Sequence, residues 1–105
     1  ANKVAIARAG GIAALVPLVR DGAQMQKEHA AGALRNLAYR NADNQVAIAW
    51  AGGIVPLVAL ARGGTDGQKE MAADALGWLA HQAENKRAIA NAGWSQGKGL
   101  RRYDR

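Results

Sequence analysis

Cysteine is absent from the 105-residue chain, so disulfide frameworks and thiolate metal sites are excluded, while the redox compartment stays open. Phenylalanine is also absent, and the aromatic complement is three Trp and two Tyr. Proline occurs only twice, at Pro17 and Pro56. Hydroxyl side chains are nearly missing: besides Tyr39 and Tyr103 there are only Thr65 and Ser95. Neither of these adjoins a His in sequence, so nucleophilic catalysis of the Ser–His or Cys–His kind has almost no material. No basic stretch followed by an apolar core opens the chain, so no leader is expected. With no leader in view, the expected setting is cytoplasmic or nuclear.

Half of the residues are hydrophobic, with Ala and Gly filling much of the rest. Ala is the best helix former, so the composition points to closely packed helices. Residues 44–61 carry no formal charge, long enough to raise the question of a membrane span. Gly52, Gly53 and Pro56 interrupt that run, and it reads instead as two short buried helices joined by a turn. The net charge is +6, and half of it sits in residues 95–105, where Lys98, Arg101, Arg102 and Arg105 face a single acid, Asp104. That tail has neither apolar periodicity nor repeat character and is expected to be disordered.

An internal repeat organises the remainder. Residues 2–40 laid over 44–82, an offset of 42, give 23 identities in 39 positions. A third copy opens at Asn85 and stops matching at Trp94. The expected divisions are residues 1–43, 44–84, a first helix over 85–94, and the tail over 95–105. Each unit reads as three helices. The first, near residues 2–9, starts at an Asn and stops at Gly10-Gly11, since Gly tolerates the left-handed conformation that ends helices. The second lies near 12–20, with Pro17 a turn deep in it. The third, near 25–40, carries Ala30, Ala31, Leu34, Leu37 and Ala38 on one stripe.

Three helices in about forty residues is the size of an armadillo or HEAT unit. The residues themselves resemble the armadillo (β-catenin-like) repeat family. They run Asn-x-x-Ala-Ile-x-x-Ala-Gly-Gly-Ile, then Leu-Val-x-Leu, then Lys-Glu-x-Ala-Ala-x-Ala-Leu-x-x-Leu-Ala, in register over residues 2–93. The resemblance implies an all-α solenoid, a right-handed superhelix whose third helices line a concave groove that takes extended peptides. It also implies clamp positions on the third helix: an Asn, with a Trp one turn earlier. Asn36 stands at the Asn position and Gly32 at the Trp position. In the second unit these positions hold Trp78 and Asp74, so one of the four matches.

Comparing the units separates a shared core from a varied face. Along the third helix they differ at His29/Met71, Gly32/Asp74, Arg35/Gly77, Asn36/Trp78 and Tyr39/His81. Positions 29, 32, 36 and 39 step by three and four and so share one helical face. The candidate partner-binding residues are therefore Asn36, Trp78, Tyr39, His81, Arg35 and Asp74, together with Gly32 and His29. Asp21, Glu28, Asp43, Asp66, Glu70, Asp74 and Glu84 are scattered among bases, as on a solvated face. His29 and His81 fall at different places in their units and form no repeated ligand pair. No catalytic residue, metal site, cofactor or small-molecule substrate is expected.

The expected function is protein–protein interaction. Alternatives are a nucleic-acid or acidic-surface binder using Lys86, Arg87 and the tail, or a regulatory segment of a larger enzyme. Few aromatics accompany the bases, so binding to nucleic acid is expected to be weak and salt-sensitive. Trp50 takes the place of Arg8 and is expected on the convex side or partly packed. An edge of Ile6, Ile12, Leu15, Leu18, Leu34 and Leu37 is expected to lie partly bare, which favours self-association through the solenoid ends.

Overall fold

The computed structural model describes residues 2–94, with side chains described from residue 10 onward. Six helices follow one another: α1 (Asn2–Asp21), α2 (Gln24–Ala38), α3 (Ala42–Trp50), α4 (Ile54–Gly63), α5 (Asp66–Leu79) and α6 (Ala83–Asn91). Among the described residues there is no strand. The tail over 95–105 lies outside the described residues.

The second unit has the three-helix form expected of it. Gly52 takes a left-handed φ of 84°, and α3 and α4 meet at 88°. The charge-free run is thus sharply bent, and no single helix is long and apolar enough to cross a membrane. Pro56 is the third residue of α4, where its missing N–H breaks no intrahelical bond.

The first unit departs from expectation. Gly10 and Gly11 do not stop a helix, and α1 runs unbroken through them and through Pro17. The second unit's bend is anchored by side chains that reach back to the preceding helix: Asn44 Nδ2 donates to the Leu37 carbonyl at 2.7 Å, and Gln45 Nε2 to that of Ala38 at 2.8 Å. Among the described residues no helix precedes α1 to offer such carbonyls. The unbroken α1 meets its backbone hydrogen bonds through Gly10 and Gly11, although each interior Gly costs about 1 kcal/mol against Ala.

The same bonds correct the reading of the repeat's opening Asn. The cap of α3 is Asn41, whose side chain accepts the Asn44 N–H at 2.9 Å. Asn44 sits inside the helix as a buried tie to α2. Asn85 of α6 is likewise buried and donates to the Gln45 carbonyl at 3.1 Å.

One continuous core joins the units, with Ile12, Leu34, Ile48, Leu57, Leu76 and Leu79 its largest enclosed side chains. The bare edge is accordingly smaller than expected. Ile12 and Leu34 are only 1% and 0% exposed, because they point between helices rather than off the end. Leu15 and Leu37 are half-buried and Leu18 is exposed, as expected, and the side chain of Ile6 lies outside the described residues.

Candidate functional site

The third helices α2 and α5 lie side by side and parallel. Their contacts advance together along both: Gln24 with Gln68, Gly32 with Met71, Arg35 with Asp74, and Tyr39 with Trp78. Capping sets the start of each helix. Thr65 Oγ1 accepts the Gln68 N–H at 3.2 Å, and Gln68 Oε1 accepts the Thr65 N–H at 2.9 Å. In α2 only half of this box exists: Gln26 Oε1 accepts the Ala23 N–H at 2.8 Å, and Ala23 has no side chain to return the bond. Gln68 also donates Nε2 to the Gln24 carbonyl at 2.8 Å, which fixes the two helices in register.

The varied positions form one surface across this pair. His29, Asn36 and Tyr39 are exposed on α2, with Gly32 half-buried among them. On α5, Met71, Asp74 and Trp78 are half-buried, and His81 is exposed just beyond its end. Arg35 is the bridge between the helices. Its Nη1 lies 3.1 Å from the Met71 sulfur and 3.9 Å from an Asp74 carboxylate oxygen. Its Nε and Nη2 donate to Asn36 Oδ1 at 3.2 and 3.1 Å. The ion pair is long and about a third exposed, so it adds well under 1 kcal/mol. Together these contacts hold Arg35 across the helices and use the side-chain carbonyl of the exposed Asn36.

Farther along, three rings meet. The Tyr39 and Trp78 centroids are 4.9 Å apart at 73°, edge to face, and Trp78 and His81 are also 4.9 Å apart, at 51°. Such pairs contribute about 0.5–1.5 kcal/mol each beyond burial. Trp78 packs one side against the core and leaves the other accessible. The structure thus brings together Asn36, Arg35, Asp74, Tyr39, Trp78 and His81, with Gly32 beside Met71. No hydrogen bond or ring contact joins His29 to them, one turn before Gly32.

Two neighbours of this surface were not anticipated as site residues. Met71 supplies the sulfur under Arg35, and it had a visible signal as the counterpart of His29. Arg40 stands 5.4 Å from the Tyr39 ring centroid. It is held there by a left-handed backbone, φ 47°, which a non-glycine residue seldom adopts and which no sequence pattern announced. Gly32 has an evident use, since a Cβ there would meet the Met71 sulfur at 3.4 Å.

Two clefts open elsewhere. One of about 480 Å³ runs between α1 and α4, floored by Val19, Pro56 and Leu60. Another of about 430 Å³ lies between α3 and α6 beside Trp50, which is 85% exposed and so is not packed against a neighbour. None of the eight candidate residues lines either cleft. Among the described residues no three His, Asp or Glu side chains gather as a metal site.

In comparisons with known proteins, residues 1–39 match the Armadillo/beta-catenin-like repeat. No curated protein and no solved structure matches the chain.

Proposed function

Residues 1–39 match the armadillo repeat, and from that premise we propose that the chain is an armadillo-like repeat protein whose α2–α5 surface binds an extended peptide or a partner's exposed segment. Armadillo repeats are in general protein-interaction modules, and the all-helical stack here is of that kind. In this reading the helices wind as a right-handed solenoid whose concave groove is the α2–α5 surface. The observation that carries it is the row of Tyr39, Trp78 and His81, three contacting rings left partly open on the surface where the units differ. Aromatic residues dominate binding hot spots because they bury much area at little entropic cost. Trp78 is the anchor, with Tyr39 and His81 as its walls. The side-chain NH₂ of Asn36 donates to a ligand carbonyl, and Arg35 and Asp74 stiffen the floor between the helices.

No step of this function is catalytic, and a cytoplasmic or nuclear setting goes with it. The partner is protein rather than nucleic acid. Copies of the chain also associate with one another through the ends of the stack, where Leu15, Leu18 and Leu37 are partly bare.

The test is selection of binders from a displayed random-peptide library. Selected peptides should lose about 1–2 kcal/mol of affinity, roughly 5- to 30-fold, with Trp78→Ala, at unchanged helicity. Peptides indifferent to both Trp78→Ala and Tyr39→Ala bind elsewhere and would overturn the reading.

A further inference from the structure

The chain contains one complete joint between units, and the two open faces match its two sides. Within the joint, Ala31 and Ala38 of α2 are buried by the second unit. From the other side Leu57, Leu60 and Leu79 are buried. The residues at matching repeat positions on the open faces are uncovered in just these respects. Leu15, Leu18 and Leu37 are half-buried or exposed, and so are Ala73 and Ala80. The polar tie matches too. Gln68 Nε2 reaches the Gln24 carbonyl of the preceding helix, whereas its counterpart Gln26 is exposed, and the counterpart of Gln24 is the exposed Asp66.

The helix order is complementary as well. Because α1 is unbroken, residues 2–9 do not turn back from the second half of α1 as α3 turns from α4 at 88°. Among the described residues, no element takes the first-helix place of the first unit. At the other face α6 is a first helix by sequence. It has Asn85 and Ile89 buried toward the core and Ala88 exposed outward.

We propose that a second copy of the chain seats its Leu15–Leu18–Leu37 face on the Ala73–Ala80 face of the first, with α6 of the first copy filling the first-helix place of the second. This rests on the reading that copies associate through their ends, and it specifies how. The contact is head to tail, so both faces remain available at the ends of a dimer and growth continues. Each added copy prolongs the α2–α5 surface by two more third helices.

One pair in the new joint differs in kind. Inside the chain Gln82 Nε2 donates to Gln45 Oε1 at 2.8 Å. In the joint between copies, Lys86 occupies the position of Gln45, and Asn41 of the next copy, which caps α3 as Gln82 caps α6, that of Gln82.

Sedimentation of the full chain across a concentration series tests this. Mean mass should climb with concentration without stopping at a dimer. Leu18→Asp and Ala80→Arg each remove one face and should weaken association at least tenfold, with helicity checked by circular dichroism. Mixed together, they should form a 1:1 pair that grows no further, since each retains the face the other lacks. A strictly monomeric chain under all conditions overturns both this proposal and self-association itself. A dimer that stops growing, or variants that fail to pair in the mixture, overturns the head-to-tail arrangement alone.

Discussion

The first and second units share 23 of 39 aligned residues in different surroundings, and their burial diverges accordingly. Leu60 is 5% exposed while its counterpart Leu18 is 37% exposed. Gly52-Gly53 makes a sharp corner while Gly10-Gly11 lies within a continuous helix. The residues are the same in each of these pairs, so the difference comes from their surroundings, which include Lys3 where the second unit has Gln45 and Ala14 where it has Pro56. A unit flanked by another has carbonyls to anchor its first helix and apolar surface to cover its leucines. Repeat stability resides as much in the joints as in the units.

The largest expected effect sharpens that contrast at the leucines. Leu60→Ala should cost about 2–5 kcal/mol in denaturant unfolding, as buried leucines do, and Leu18→Ala well under half of that. Equal costs would mean that the first unit is as well covered as the second. Next come the matched glycines, where the sign itself should change. A Cβ at Gly53 would lie 2.8 Å from the Ile48 Cγ2 and 3.0 Å from its carbonyl oxygen, whereas nothing lies within 4 Å at Gly11. Gly53→Ala should destabilise by about 1–3 kcal/mol through overpacking. Gly11→Ala should stabilise by about 1 kcal/mol, because Ala is the better residue inside a helix. Shifts of the unfolding midpoint check both, and a loss at Gly11 would mean that α1 bends there. The smallest effect concerns the caps. Thr65→Ala should lose about 1 kcal/mol, and Ala23→Thr should gain about 0.5–1 kcal/mol by completing the box that Gln26 half-forms. If Ala23→Thr gains nothing, the starts of α2 and α5 differ by more than the missing hydroxyl.

Much of this was legible in the sequence, and the exceptions share a cause. The third helices followed from the apolar stripe through Ala30, Leu34 and Ala38, because that pattern is local and repeats in register. The varied surface followed from the steps between positions 29, 32, 36 and 39, and the structure joins its two halves through Arg35 and the three rings. What escaped depended on a neighbour. Asn44 looked like a helix start because Asn often caps, but its amide is spent on the Leu37 carbonyl one helix back. Gly10-Gly11 looked like Gly52-Gly53, but a corner needs something to hold it. Arg40 owes its place over Tyr39 to a left-handed backbone at the α2–α3 turn, a conformation that its residue type does not suggest.

The central claim is that the α2–α5 surface is where a partner binds, and backbone amide chemical shifts test it most directly. A selected peptide titrated into ¹⁵N-labelled chain should move the amides of Gly32, Arg35, Asn36, Tyr39, Asp74, Trp78 and His81 together, saturating with one affinity. Shifts confined to the α1–α4 cleft or to the α3–α6 side around Trp50, with α2 and α5 unmoved, would contradict it.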